Sequence, residues 1–336
     1  MRKLTIFIEG LEHLRFISPY LKIFENLNFE QIIISLSDLG DSFSNYKIID
    51  KKNLNSTLIN IKSDIFITTT PGIDNYYFPK SKAMPKTLRP KYIYIFHSLV
   101  SPNQMYSKNS FKGFDYIFSP NNIITRQLSY LVNSNKTKII ETGYPLLTNN
   151  YYFKKIQNDK KNILIAPSWG KHSLLQNNEI IFDLINSIDS NIYNIYLRPH
   201  PMDLEKIKKL KLENIISIDT KKDLNNLCSY DYLITDWSGI GIEYSLIKGK
   251  KSIYIDTPKK IRKNLSRKEK KETFIEDKFR NKYGFTLKED KIYLINKLFD
   301  NKKNWQIKND TFIRRMKYPN FDIKTIENNF LLELDV

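Results

Sequence analysis

Short apolar runs alternate with amphipathic stretches along almost the whole chain. That pattern belongs to strands buried on both faces beneath covering helices. In the first half the apolar runs predict strands at residues 4–8, 31–35, 65–69, 92–96, 116–118 and 138–140. Helical periodicity between them predicts helices at 13–27 and 122–131. A second series opens after Tyr151-Tyr152-Phe153-Lys154-Lys155, with strands at 163–166, 193–197, 215–218, 232–235 and 252–255. Helices are predicted near 179–187, 204–210 and 241–248, and the tail 323–334 reads as a closing amphipathic helix. Two such series predict an α/β protein of two facing Rossmann-like domains, 1–150 and 151–336. The boundary falls near 146–160, and the last helix is placed to pack back on the first domain.

Open parallel sheets bind ligands outside the carboxyl ends of their strands. Two facing sheets bring those ends to one cleft, so residues just after strands are the candidates for chemistry. Of the four histidines, His97, His172 and His200 fit this rule, and His13 lies a few residues beyond the first strand.

Four segments stand out. In Tyr92-Ile93-Tyr94-Ile95-Phe96-His97-Ser98 an imidazole follows an apolar strand directly. Partly desolvated in the cleft, it is expected to titrate near neutrality and to serve as a general base for an acceptor hydroxyl. In Ile195-Tyr196-Leu197-Arg198-Pro199-His200-Pro201 two prolines fix the backbone around a guanidinium and an imidazole, a pair suited to a pyrophosphate. In Thr235-Asp236-Trp237-Ser238-Gly239-Ile240-Gly241-Ile242-Glu243 a strand turns through Ser-Gly into a helix. The N–H groups of that helix start and the Ser238 hydroxyl form a candidate anion site, with Glu243 positioned for ribose or donor hydroxyls. In Ala166-Pro167-Ser168-Trp169-Gly170-Lys171-His172 the loop offers Ser168 and Lys171 to a phosphate, and Trp169 is expected to pack in the domain core rather than on a base. Glu9, Gly10, His13 and Ser98 are the acceptor-side candidates.

Missing motifs narrow the chemistry. No Walker phosphate loop, Gly-x-Gly-x-x-Gly, His-Glu-x-x-His or Asp-x-Asp occurs, so no cofactor and no metal is expected. Phosphate charge must then be met by Arg198, His200, Ser238 and helix dipoles. Cys228, the single cysteine, excludes an internal disulfide and reads as a small core residue. The apolar stretch in residues 1–9 is too short for a signal peptide. No run approaches the roughly 20 residues that span a bilayer, so the protein is expected to stay in the cytoplasm.

The formal net charge of +18 changes the picture in one place. Much of it follows the general enrichment in Lys, Asn and Ile that an AT-rich genome produces. The segment 259–271 concentrates the remainder, and suits the border of an anionic donor cleft or the inner face of an anionic membrane. Nucleic acid is not an expected partner, because no recognised binding motif is present.

The four segments, in this order, resemble the CDP-glycerol glycerophosphotransferase family, the polymerases and primases of teichoic-acid assembly. The resemblance runs from about Lys91 to Asp256 and includes His97, Gly143-Tyr144-Pro145, Ala166-Pro167-Ser168-Trp169, Arg198-Pro199-His200-Pro201 and Thr235-Asp236-Trp237-Ser238-Gly239. Where the family usually has His-Gly and Asp-Tyr-Ser-Ser, this chain has His97-Ser98 and Asp236-Trp237-Ser238-Gly239, and Glu243 stands where an Asp is common. The resemblance implies a GT-B fold, His97 as catalytic base, and His200, Ser238 and Arg198 as holders of the donor pyrophosphate. The first 90 residues carry little of it, which suits an acceptor-binding domain. It implies transfer of glycerol phosphate from CDP-glycerol to a cell-envelope glycan or lipid-linked acceptor. The alternative on the same fold is a glycosyltransferase using a UDP-, GDP- or CMP-sugar in capsule or lipopolysaccharide synthesis. A non-catalytic nucleic-acid-binding protein leaves the post-strand segments unexplained.

Overall fold

The structure is a computed structural model that describes residues 2–39, 46–60, 62–72, 89–148, 159–212, 216–219, 226–259, 265–267, 269–300 and 304–333. The first series of apolar runs forms one parallel sheet. Its strands are β1 (Lys3–Ile8), β2 (Glu30–Ser35), β3 (Tyr46–Ile48), β4 (Ile65–Thr68), β5 (Lys91–Ile95), β6 (Tyr116–Ser119) and β7 (Lys138–Glu141). They lie in the order β3-β2-β1-β4-β5-β6-β7, each neighbour parallel. The second series forms another parallel sheet from β8 (Lys161–Ile165), β9 (Tyr193–Leu197), β10 (Ser217–Ile218), β11 (Tyr232–Thr235), β12 (Ile253–Ile255) and β13 (Phe285–Leu287). Its order is β10-β9-β8-β11-β12-β13. Both orders reverse beside the first strand, so each sheet has a topological switch point: β1/β4 in one, β8/β11 in the other.

Two strands had no apolar run to announce them. β3 and β13 sit at sheet edges and leave most of their side chains partly or fully exposed, which removes the unbroken hydrophobic signature of the central strands. The central strands β4, β6 and β11 are buried at every position, as layers of helix on both faces require.

The N-terminal sheet carries α1 (Leu11–Asn26), α2 (Leu54–Asn60), α3 (Pro102–Met105) and α4 (Asn122–Leu128). α1 buries Phe16, Ile17, Tyr20, Leu21, Ile23 and Phe24 on one face, the stripe expected of an amphipathic helix laid on a sheet. α4 starts at Asn121, whose side-chain oxygen accepts from the Ile123 and Ile124 N–H groups. The second sheet carries α5 (Asn178–Ser187), α6 (Leu204–Leu210), α7 (Ile240–Lys248), α8 (Ile275–Lys282) and α9 (Ile295–Asp300).

The chain then returns to the first sheet through α10 (Thr311–Lys317) and α11 (Ile323–Glu333). Ile313 and Met316 of α10 enter the N-terminal hydrophobic cluster, and Asn121 Nδ2 donates to the Met316 carbonyl at 3.1 Å. Ile326 of α11 is buried against α1, where Asn26 Nδ2 donates to Glu327 Oε1 at 2.5 Å. The same cluster that holds Tyr94, Phe96 and Phe111 runs on into Ile242, Leu246, Tyr254, Ile275 and Phe279 of the second unit. Apolar packing therefore joins the two halves directly. Of the expected boundary near 146–160, residues 149–158 lie outside the described residues. Cys228 is half-buried in a 3₁₀ turn rather than a core residue, and Lys248 donates to its carbonyl. Among the described residues no helix is long and apolar enough to cross a membrane.

Candidate functional site

The chemistry gathers where the carboxyl ends of the two sheets approach one another. On the N-terminal side, β1 delivers Glu9 and Gly10, β4 delivers Thr69 and Thr70, and β5 delivers His97. Thr70 Oγ1 donates to Glu9 Oε2 at 2.9 Å, bridging the β1/β4 switch point. His13 stands in the first turn of α1, with Gly10 as the N-cap. Its Nδ1 shares a 2.5 Å hydrogen bond with Thr69 Oγ1, and its Nε2 lies 3.7 Å from Glu12 Oε1. The His13 and His97 ring centroids are 5.1 Å apart. Glu9, Gly10, His13 and His97 thus converge, as the post-strand rule predicts.

The electrostatics of His97 differ from expectation. Desolvation among packed aromatic rings, aided by the neighbouring His13, pushes its pKa down from 6.5 to about 3. The expected titration near neutrality is corrected: without ligand the imidazole is neutral, and its Nδ1 is buried with no partner among the described residues. His13 is shifted the same way, chiefly by burial, and Glu12 and Glu9 oppose the shift. A neutral His97 is in the state that accepts a proton. An anionic ligand placed beside it strengthens it as a base by favouring the imidazolium.

On the C-terminal side, several candidates turn out to hold the scaffold. Asp236 is fully buried and takes four hydrogen bonds: from Ser168 N at 2.7 Å, Ser168 Oγ at 2.9 Å, Leu174 N at 2.8 Å and Trp237 N at 2.6 Å. Ser168 and Asp236 are bonded to each other across the β8/β11 switch point. Arg198 is likewise engaged. Its Nε and Nη2 bind Asp219 Oδ2 at 3.0 and 2.6 Å, and Tyr230 adds its hydroxyl to the same oxygen at 2.5 Å. Nη1, with its two N–H groups, is left unpartnered among the described residues, so Asp219 anchors Arg198 at the β9 end through the other two nitrogens.

His200 remains well placed. Its Nδ1 accepts from the Met202 N–H at 3.3 Å, so the neutral ring carries its proton on Nε2. Its ring lies 5.7 Å from that of Trp169. Trp169 itself is 43% exposed, which corrects the expectation of core packing. Lys171 is exposed on the same loop.

The start of α7 faces the first domain. A Cβ at Gly239 would come within 2.9 Å of Val100 Cγ1 and 3.4 Å of Ser98 Oγ, so only glycine permits this approach. Ser98 Oγ accepts from the Val100 N–H at 3.2 Å, which shapes the loop that Gly239 meets. The Gly241 N–H turns back on the Ser238 carbonyl at 3.3 Å and the Ile240 N–H on Ser238 Oγ at 3.5 Å. Part of the expected open N–H array is therefore used internally, while the Ser238 hydroxyl proton stays available. Glu243 departs furthest from expectation. It is buried, accepts from the Tyr144 hydroxyl at 2.5 Å, and lies 3.7 Å from Arg15 Nη2. Both of these neighbours belong to the N-terminal half. Tyr144 Oη also lies 3.4 Å from the His97 carbonyl, so one phenol links the His97 loop to α7.

Sequence reasoning missed Arg15, Tyr144 as a site residue, and Arg280. Arg15 sits on an amphipathic helix, and nothing in its spacing sets it apart. Arg280 is buried; it donates to the Asp236 carbonyl at 2.8 Å and to Asp256 at 2.6 Å, and stacks 4.0 Å from the Trp237 ring. Of the basic segment 259–271, residues 260–264 and 268 lie outside the described residues. Lys259 pairs with Asp277 at 2.5 Å and lies over the Phe274 and Trp237 rings at 4.4 and 5.5 Å. Among the described residues no group of three His, Cys, Asp or Glu converges as a metal site.

The family model for CDP-glycerol:poly(glycerophosphate) glycerophosphotransferases matches residues 51–258. The match begins within the first 90 residues, so the family signal reaches further toward the N-terminus than the motifs alone implied. The teichoic acid poly(glycerol phosphate) polymerase of Bacillus spizizenii is 27% identical over 194 residues, which is 50% of this chain and 48% of that protein. The enzyme of the same description from Staphylococcus epidermidis is 27% identical over 186 residues, 49% of this chain and 24% of the relative. The teichoic acid glycerol-phosphate transferase of Staphylococcus aureus is 24% identical over 167 residues, 44% of this chain and 43% of its own. The aligned parts span half or less of each relative. Among solved structures, the wall teichoic acid polymerase TagF soaked with CDPG superposes with a TM-score of 0.63 at 15% identity, over 99% of this chain and 88% of that one. The UDP-GlcNAc 2-epimerase of Methanocaldococcus jannaschii, in complex with UDP-GlcNAc and UDP, gives 0.65 at 16% identity, over 98% and 99%. At these identities the likeness shows the fold, two parallel-sheet domains in the GT-B arrangement.

Proposed function

This chain belongs to the CDP-glycerol:poly(glycerophosphate) glycerophosphotransferase family, and we propose that it transfers glycerol phosphate from CDP-glycerol to a hydroxyl of a cell-envelope glycan or lipid-linked acceptor. The N-terminal domain takes the acceptor and the C-terminal domain the donor. One observation carries the reading: the neutral, desolvated His97 is coupled to the start of α7 through Tyr144, which bonds Glu243 at 2.5 Å and reaches the His97 carbonyl at 3.4 Å. Base and donor-side helix are thereby held in one unit.

In the reaction His97 takes the acceptor proton as the acceptor oxygen bonds to the β-phosphorus. The phosphoanhydride bond breaks and CMP leaves with the electron pair. The developing charge is met by the His200 Nε2–H, the Ser238 hydroxyl and the start of α7, donors fixed before the reaction begins. Donor charge next to His97 raises its pKa from the low value of the free protein, so binding the donor strengthens the base. No metal is required by this arrangement. The enzyme works at the inner face of the cell membrane, and the net charge of +18 favours attraction to its anionic lipids.

A thermal-shift panel of CDP-glycerol, CDP-ribitol, CMP, UDP and GDP, followed by a CMP-release assay in EDTA, tests the reading. Stabilisation by the cytidine ligands and turnover of CDP-glycerol in EDTA are expected. Stabilisation by UDP or GDP alone would move the protein to nucleotide-sugar chemistry, and loss of turnover restored by Mg²⁺ would overturn metal independence.

A further inference from the structure

We infer that Glu276 is a positioning residue for the loop that carries His97, an inference that rests on the assignment of His97 as base in the reading above. The loop runs from His97, just after β5, to Ser101, the N-cap of α3. Leu99, Val100 and Ser101 are all buried. At its far end the loop exchanges two hydrogen bonds with the first turn of α8, in the second domain. The Ser101 N–H donates to Glu276 Oε1 at 3.0 Å, and the Ile275 N–H donates to Ser101 Oγ at 2.8 Å. Gln104 of α3 adds a donor, Nε2, 3.4 Å from Glu276 Oε2. Ser101 stands at the start of α3, yet its hydroxyl makes no bond to that helix and caps α8 instead. Among the described residues, these two bonds to Ser101 are the ones that reach residues 97–101 directly from the second domain.

A carboxyl at this place needs a reason. Glu276 is 5% exposed, and burial pushes its pKa up, while its own N–H and the Ser101 bonds pull the other way. Ile275 and Phe279 beside it belong to the apolar cluster shared by the two halves, where an aliphatic side chain would carry no such desolvation cost. What the carboxyl adds is direction, an acceptor at one fixed point for one amide of the loop. The rest of the loop is already short of freedom. The Val100 N–H is held by Ser98 Oγ, Gly239 abuts Ser98 and Val100, and Tyr144 reaches the His97 carbonyl. With Ser101 fixed as well, the imidazole is set against the rings of His13, Phe16 and Tyr94. Glu276 touches no reacting atom and acts on the base through this loop.

Histidine NMR titration, calorimetry with CDP-glycerol and CMP release, all on the full chain, test this. Glu276→Ala should lower kcat about 10- to 100-fold, as a displacement of about 1 Å at a reacting group does, and keep CDP-glycerol affinity within about threefold of native. It should also raise the His97 pKa from about 3 toward 6.5 as water reaches the ring. Glu276→Gln keeps an oxygen for the Ser101 N–H and should recover most of the turnover and the low His97 pKa. Ser101→Ala removes the cap on α8 alone and should move both quantities the same way by a smaller factor. Native kcat with a native His97 titration in Glu276→Ala overturns the positioning role, and so does a Gln variant as impaired as the Ala one. Should Glu276→Ala fail to fold, native behaviour of Ser101→Ala overturns it in its place. Affinity lost in step with kcat also overturns it, since that reports a damaged domain interface and not a displaced base. A native protein that does not bind CDP-glycerol overturns the donor reading, whereas the His97 titrations still decide the role of Glu276.

Discussion

The two sheets share one strand order, yet each treats its switch point differently. At β1/β4 the bridges among the described residues are the Thr70–Glu9 and His13–Thr69 hydrogen bonds, with the two imidazoles half-buried beside them. At β8/β11 the crevice is closed by a buried carboxylate with four donors, and the groups that face solvent, Trp169 and His200, stand on the rim. The first region tunes its chemistry by desolvation; the second builds a rigid base for residues that reach outward. A post-strand position therefore identifies where function gathers, while the partners of each side chain decide whether it reacts, binds or braces.

The largest expected effect sharpens that contrast. His97→Ala should lower kcat by roughly 10²–10⁴, the usual range for loss of a general base, with donor affinity little changed. His200→Ala should weaken CDP-glycerol binding as well as slow turnover, and His200→Asn should recover part of the binding because an amide still donates. Turnover and donor affinity measured for each variant decide the matter. An active His97→Ala enzyme would move the base to His13 or Glu9, which lie beside it.

A smaller effect tests the bracing role. Asp236→Ala leaves the Ser168, Leu174 and Trp237 N–H groups without their acceptor in a buried setting. Each such group costs about 1–3 kcal/mol, and after local relaxation the total loss should be about 2–4 kcal/mol. Urea denaturation measures it directly. A variant with native stability and lost donor affinity would return Asp236 to the binding site.

Much of this was legible because apolar alternation and post-strand placement are local. Of the central strands, β1, β4, β5, β8, β9 and β11 were each read to within two residues at either end, and His13, His97 and Glu9 converge as their positions after strands required. What escaped depends on distant partners. Arg198 looked like a phosphate clamp, but Asp219, just after β10, takes two of its nitrogens. Glu243 looked like a ribose ligand until Tyr144, 99 positions away, supplied its hydroxyl. Trp169 looked like core because a tryptophan after a buried strand usually is; in the structure it is 43% exposed, on a loop that Asp236 ties at Ser168 and Leu174.

The smallest effect concerns pH and probes the desolvated side alone. His97 has a pKa of about 3 in the folded protein against about 6.5 when unfolded. Between those values the unfolded chain binds more protons at this site, so folding stability rises with pH across the window. Above about 6.5 the site contributes no slope, and as pH falls toward 3 stability is lost progressively, by at most about 1.4 kcal/mol per pH unit. His13 is shifted in the same direction and adds to the trend. Carboxylates titrate in the same range, so the informative quantity is the difference between native protein and His97→Asn, which removes one such proton. Denaturation midpoints at pH 7, 6 and 5 should fall more steeply for the native protein than for the variant. The same burial predicts that kcat/KM, which reports the free enzyme, shows no limb from His97 near 6.5, whereas the His97 limb in kcat lies above its value of about 3 in the free protein because bound donor charge favours the imidazolium. Parallel stability slopes together with a kcat/KM limb near 6.5 would mean that the His97 ring is hydrated in the free protein, and the contrast between a desolvated acceptor side and an open donor side would fail.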